Sequence, residues 1–259
     1  MKCLLINLDR SDDRLAIMDR KFASVGLPYE RLSATDGQFL TQEQKAALDP
    51  KSRKRVSVYP LSDNELGCYF SHVRAMDSLL KSGEDMMAIF EDDLDLSPDL
   101  GPVLAAIEDR GAPFDFVFLH RKFKRGEFFV FSRNLTPDYK MGRVGYAQMG
   151  ALAYVVSRAG AEKFLEFAAR RKFGHAVDKE IHRWWANGMD IYGLDRPLVW
   201  LAQGGGSIIE ETRGSRASYP DAYSFKGRLT RFLYRFYDSV MRRVLFWPYA
   251  LRGWRSSIK

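Results

Sequence analysis

Cysteine is nearly absent from this chain: Cys3 and Cys68 are the two among 259 residues. Two thiols exclude a disulfide framework and a cysteine-based zinc site, and they fit a reducing compartment. Histidine is scarce as well, with four, which argues against the histidine-rich metal set of a phosphoester hydrolase. Long apolar runs are missing. The longest, Val244 to Leu251, has eight residues and contains Pro248, whereas a membrane span needs about 20. The start, Met1 to Leu8, meets Asp9, Arg10, Asp12 and Asp13 before a signal core can form, so secretion by that route is not expected. Neither G-x-G-x-x-G nor G-x-x-x-x-G-K-[ST] occurs, which removes the dinucleotide fingerprint and the phosphate loop. No internal repeat or low-complexity segment is present.

What is there has the balance of a folded domain: 46% hydrophobic, 28% charged and 14% aromatic. The length allows one large domain, or a domain with an appendage. The formal net charge of +7 is unevenly spread. From Phe225 to Lys259, nine Lys and Arg face one acid, Asp238, so this segment carries +8 and the residues before it −1. Leu229, Phe232, Leu233, Phe236, Val240 and Val244 recur in it at helical spacing, with Arg228, Arg231, Arg235 and Arg242 on another side. We read residues 1–224 as the main domain and 225–259 as a basic amphipathic helical appendage. Such a helix suits in-plane binding to an anionic lipid surface. A helix docked on the core with solvated arginines is the alternative, and nucleic acid is the least favoured partner.

Along the chain, apolar runs alternate with helical patterns. Cys3 to Leu8 reads as a buried strand, and Ser11 to Val25 as a helix capped by Ser11 and stopped by Gly26. Tyr29 to Ser33 reads as a strand and Thr41 to Leu48 as a short helix. Residues 49–60 read as a polar, mobile loop near a site. Ser62 and Glu65 form a capping box for a helix running to Gly83. Met86 to Phe90 is a continuous apolar strand that stops at Glu91-Asp92-Asp93. A helix at 99–109, strands at 114–119 and 150–156, helices at 159–170 and 178–187 and a strand at 190–194 complete the reading. The expectation is an α/β domain with a mostly parallel sheet flanked by helices.

Ligands of open α/β sheets sit beyond the carboxyl ends of the strands, where Glu91, Asp92, Asp93 and Asp95 should lie. Clustered acids repel one another unless a cation neutralises them, and oxygen donors suit Mg²⁺ or Mn²⁺. A solvated acidic turn is the plainer alternative. His72 is either a catalytic group or a satisfied helix histidine. Asp178 reads alone as an N-cap, and its i,i+4 spacing to His182 is compatible with a weak metal pair. The run Gly204-Gly205-Gly206-Ser207 is either a close backbone approach to a ligand or a hinge.

Taken together, Ile6-Asn7-Leu8-Asp9-Arg10 with Arg14, Ala34-Thr35-Asp36-Gly37, Glu65-Leu66-Gly67-Cys68 with Ser71-His72, and Phe90-Glu91-Asp92-Asp93 resemble glycosyltransferase family 25. Gly150 to Ser157 with Gly160-Ala161 and Val177-Asp178 is similar to the second half of that family. The resemblance spans about residues 3–210. It implies a GT-A-like fold, a nucleotide-sugar donor that is usually UDP-galactose, Mn²⁺ or Mg²⁺, and inverting transfer. Carried over, it implies that Asn7, Arg10, Arg14, Ala34, Asp36, Gln203 and Ser207 border the nucleotide. It also implies that Glu91, Asp92 and Asp93 form the metal element, with Glu91–Asp93 and Asp93–Asp95 as alternative pairs. Asp178 is the first choice of general base and His72 the second. The expected acceptor is a lipopolysaccharide or lipooligosaccharide at the cytoplasmic face of a membrane, with the basic segment holding the enzyme there. The rival reading from another class is a non-catalytic sugar-nucleotide or glycan-binding protein.

Overall fold

The computed structural model describes residues 1–57, 61–111, 113–120, 129–145, 150–170, 172–202 and 224–256. In chain order these form β1 (Lys2–Asn7), α1 (Asp12–Ser24), β2 (Glu30–Ser33), a 3₁₀ turn (Gly37–Phe39), α2 (Gln42–Ala46), α3 (Pro50–Val56) and α4 (Asp63–Ser82). Next come β3 (Met86–Phe90), β4 (Leu94–Leu96), α5 (Leu100–Arg110), β5 (Phe116–Phe118), β6 (Phe129–Asn134), β7 (Lys140–Val144) and β8 (Ala153–Ser157). The chain continues with α6 (Arg158–Ala169), α7 (Val177–His182), α8 (Trp184–Asn187), β9 (Ile191–Leu194), β10 (Val199–Leu201) and α9 (Phe225–Ser256).

Eight strands make the central sheet in the order β2-β1-β3-β8-β5-β9-β7-β6, and β4 pairs with β10 separately. The sheet is mixed, which corrects the mostly parallel expectation. β1 runs parallel to β2 and β3, and β5 parallel to β9. β8 lies antiparallel between β3 and β5, and the β6–β7 and β7–β9 pairs are antiparallel too. An apolar run carries no strand direction, and both kinds of pairing bury β8 equally.

Both sheet faces are covered, which is why β1 and β3 read as unbroken apolar runs. Leu4, Ile6, Met87 and Ile89 face one core with α4, α6, α7, α8 and part of α9. Cys3, Leu5, Met86, Ala88 and Phe90 face the other, with Met18 and Phe22 of α1 and the apolar side of α5. Each fully buried Leu, Ile, Met or Phe side chain among these contributes about 1.5–3 kcal/mol over leaving it exposed.

Local signals set several boundaries. Ser62 and Glu65 make both bonds of the capping box that opens α4, and Gly83 at φ +78° closes it. Thr41 and Gln44 do the same at α2. Ser11 precedes α1 but makes no side-chain capping bond. The polar stretch after Asp49, expected as a loop, forms α3 through Val56, and α9 packs against it. That tertiary contact is invisible to local periodicity.

The basic segment is one long helix with two kinds of surface. Toward its C-terminus Phe246, Tyr249 and Ala250 are buried in the core. Tyr249 stacks on Trp184 with ring centroids 4.1 Å apart, and its carbonyl accepts from Arg143 at 2.8 Å. Its hydroxyl both accepts from Ile191 N and donates to Ile191 O at 2.9 Å. Phe225, Leu229, Phe232, Leu233, Phe236 and Trp247 are exposed. Among the described residues no helix is long and apolar enough to cross a membrane.

Candidate active site

β2, β1 and β3 are adjacent and parallel, so their carboxyl ends at Ser33, Asn7 and Phe90 open on one side of the sheet. The cleft there has a volume of about 130 Å³. Its floor and walls include Ile6, Leu8, Ala34, Thr35, Arg14 and the acids after β3. The first half of α4 forms the facing wall.

That wall is held by close backbone contact. A Cβ on Gly67 would lie 2.5 Å from the Thr35 carbonyl oxygen, and one on Gly37 would lie 2.5 Å from the Asp63 backbone. Only glycine allows this approach. The Ser71 hydroxyl accepts from Thr35 N at 2.8 Å and donates to the Gly67 carbonyl at 2.7 Å. Cys68, Ser71 and His72 therefore reach the cleft from successive positions on one helical face.

The acids after β3 have three different environments. Asp92 is anchored: Asn7 Nδ2 donates to its Oδ2 at 2.8 Å, and Arg14 donates to its Oδ1 at 3.0 Å. Asn7 is itself buried, with Arg31 Nε donating to its Oδ1 at 2.9 Å. Glu91 turns toward α4, where its Oε1 lies 3.3 Å from His72 Nε2 and 3.8 Å from Cys68 Sγ. Asp93 is the unsatisfied one. Its Oδ1 is buried without a hydrogen-bond partner, and its Oδ2 is 3.9 Å from Arg14. Burial, aggravated by the charges of Glu91 and Asp92, pushes its pKa up to about 7. An orphaned buried carboxylate oxygen beside a second carboxylate is a fitting place for a hard divalent cation.

The other predicted residues separate into three groups. Arg14, Ala34 and His72 line the cleft, and Asn7 lies beneath it. Arg10 and Asp36 form an ion pair with each other, and Asp36 also accepts from Gln38 N as the cap of the 3₁₀ turn. Neither is among the lining residues. Gln203, Ser207 and the glycine run at 204–206 lie outside the described residues. Asp95 is drawn away on β4, paired with Lys21 at 2.8 Å.

Asp178 does not cap α7; Ala176 holds that position. The Asp178 Oδ2 accepts instead from Gly150 N at 2.8 Å, and its charge helps burial hold the Cys68 thiol well above its usual pKa. Neither His182 ring nitrogen has a hydrogen-bond partner among the described residues, Asp178 included. His182 is fully buried and stacked on Phe118 with centroids 4.0 Å apart. Sequence reasoning gave no role to Tyr154, whose hydroxyl lies 2.8 Å from His72 Nδ1. It also missed Arg31 on Asn7. Both contacts join residues far apart in the chain, so no local signal exists for them. Cys68 was findable, because it stands four residues before His72 on one helix.

An α/β domain with a carboxylate-rich cleft at the ends of parallel strands is the class defined so far. The profile of glycosyltransferase family 25 (LPS biosynthesis protein) matches residues 1–181, and the chain belongs to that family. Procollagen galactosyltransferase 1-A of Xenopus laevis is 27% identical over 169 residues, covering 62% of this chain and 27% of its own. A glycosyltransferase 25 family member of Aedes aegypti is 25% identical over 177 residues, with the same two coverages. The chain thus spans about a quarter of the length of these relatives. Among solved structures, a Drosophila beta,14galactosyltransferase 7 mutant in complex with manganese, UDP-Gal and xylobiose aligns with a TM-score of 0.33 and 12% identity. It covers 89% of this chain and 79% of its own, a likeness too slight to bear on fold or activity.

Proposed function

We propose that this protein is a GT-A-like, metal-dependent, inverting glycosyltransferase that moves galactose from UDP-galactose to a lipooligosaccharide or lipopolysaccharide acceptor. The observation that carries the reading is the orphaned, buried Asp93 oxygen beside the anchored Asp92, in the cleft that the family motifs line. Asp92 and Asp93 would hold Mn²⁺ or Mg²⁺, since Glu91 is engaged by α4 and Asp95 by Lys21. The cation supplies charge stabilisation for the departing diphosphate.

The chain's own residues do the rest. Asn7 fixes the rotamer of Asp92, and Arg14 adds a cation on the donor side of the same cleft. Ala34 borders the nucleotide, and the Arg10–Asp36 ion pair steadies the loop that carries Ala34, Thr35 and Gly37. Asp178, oriented by Gly150 N–H, takes the acceptor hydroxyl's proton. His72 is less suited to that task, because both ring nitrogens are engaged and the ring is fully buried.

The exposed apolar side of α9, with Arg228, Arg235 and Arg243 near it, supports docking to an anionic membrane surface at its cytoplasmic face. Phe246, Tyr249 and Ala250, buried near the far end of the helix, anchor that surface to the rest of the domain. Nucleic acid is not proposed as a partner.

The deciding experiment is a panel of UDP-, GDP-, CMP- and dTDP-sugars, each with and without Mn²⁺, read by thermal shift and by donor hydrolysis. Metal-dependent stabilisation by UDP-galactose, lost in Asp93→Ala, is the expected result. Stabilisation by a sugar nucleotide without any turnover would favour the binding-protein reading. No response to any donor would overturn the proposal.

A further inference from the structure

Three donors of different chemistry converge where α4 meets the end of β3. Cys68 Sγ, a His72 ring nitrogen and a Glu91 carboxylate oxygen all lie within 4.8 Å of one another. We propose that Cys68, His72 and Glu91 form a binding site for a thiophilic divalent cation of the zinc class, distinct in donor chemistry from the all-oxygen pair Asp92 and Asp93.

Four observations support it. The donor set is thiolate, imidazole and carboxylate, which a borderline-soft ion prefers and a hard ion does not. The two separations from the carboxylate are already near those around a tetrahedral ion. Metal–ligand lengths of about 2.3 Å to sulfur and about 2.0 Å to nitrogen and oxygen put donor atoms roughly 3.3–3.5 Å apart. The observed separations from Glu91 Oε1 are 3.3 Å to His72 Nε2 and 3.8 Å to Cys68 Sγ. The far nitrogen of His72 is held by Tyr154 at 2.8 Å, an outer contact of the kind that orients ligating histidines. Finally, all three residues line the cleft, which leaves the fourth position open to water or a ligand.

The sequence expectation that two thiols exclude a cysteine-based zinc site holds for sites built on several thiols; a mixed set with the single thiol of Cys68 escapes it. Binding forms a metal–sulfur bond as the Cys68 thiol proton leaves to solvent. It also draws Glu91 into a coordination shell next to Asp93, so occupancy of this site and of the oxygen pair are coupled through neighbouring residues. The proposal does not depend on the transferase reading.

The test uses metal-free full-length protein titrated with Co²⁺ as a spectroscopic probe. The expected result is a near-ultraviolet thiolate-to-cobalt band with the visible bands of four-coordinate cobalt, saturating at one ion per chain and displaced by Zn²⁺. Cys68→Ser should abolish the near-ultraviolet band, and His72→Ala should weaken binding at least tenfold. Cys3→Ala and Asp93→Asn should keep the band. A band that survives Cys68→Ser, or no band at all, overturns the proposal. Should a variant fail to fold, X-ray absorption of the zinc-loaded unsubstituted protein decides. A sulfur shell at about 2.3 Å supports the site, and an oxygen-only shell refutes it. Donor binding and turnover play no part in these readouts, so failure of the transferase reading leaves them unchanged.

Discussion

Asn7, at the end of β1, donates to Asp92, just past the end of β3, at 2.8 Å. The two positions are 85 residues apart in sequence, and parallel pairing of β1 and β3 brings them together. Asn7 is buried and also bonded to Ser11 O and Arg31, so it is a rigid clamp on the middle acid of the three. Asn7→Ala is expected to cost about 2–3 kcal/mol of stability, because it strips a partner from a partly buried carboxylate. Urea unfolding checks the stability, and a weakened Mn²⁺ affinity by calorimetry checks the positioning role.

Asp93→Asn should separate metal binding from folding. Its carboxylate is buried against Glu91 and Asp92, so removing the charge relieves repulsion. Without metal, the variant is expected to melt at the same temperature or higher than the unsubstituted protein. With Mn²⁺, it should lose the upward shift that the unsubstituted protein shows. A variant that retained the full shift would show that the cation sits elsewhere.

Gly67→Ala tests the backbone contact between α4 and the loop after β2. Its Cβ would meet the Thr35 carbonyl and Gly37 nitrogen, at 2.5 and 2.9 Å, so backbone must move. Overpacking of this kind costs about 1–3 kcal/mol. A lower denaturation midpoint together with weaker donor stabilisation is expected.

His182 ties stability to pH. Burial drives its pKa down to about 3 from 6.5, and neither ring nitrogen has a partner among the described residues. The unfolded chain then binds more protons between those two values. Stability is full above about pH 6.5 and falls as pH drops toward 3, by up to about 1.4 kcal/mol per pH unit from this group. His182→Phe, which keeps the stack on Phe118, should flatten that part of the acid limb in pH-dependent melting. An unchanged slope would place the acid sensitivity in other groups.

The two surfaces of α9 should respond oppositely to substitution. Phe246→Ala removes a core residue and is expected to cost about 3–5 kcal/mol. Phe232 and Phe236 are 64% and 61% exposed, so a Phe232→Ser, Phe236→Ser pair should leave melting nearly unchanged. The same pair should abolish sedimentation with anionic vesicles. Undiminished sedimentation would refute the membrane-docking surface. Deleting the whole helix is uninformative, because it would remove core residues as well.

The sequence by itself determined the elements whose signals are local. The capping boxes at Ser62 and Thr41, the glycine stop at Gly83 and the apolar run at Met86–Phe90 each depend on residues a few positions apart. It also placed the acids after β3 at a strand end, since an apolar run that breaks into charge marks where the chain leaves the core. Tertiary structure decided the rest. The antiparallel insertion of β8, the helix at Pro50–Val56 and the burial of Tyr249 follow from long-range packing. So does the division of labour among three adjacent carboxylates. Asp92 goes to Asn7 and Arg14, Glu91 goes to His72 and Cys68, and Asp93 is left with an unpaired oxygen. Adjacent residues where the chain bends after a strand point in different directions, and which partners wait there depends on strands and helices encoded elsewhere.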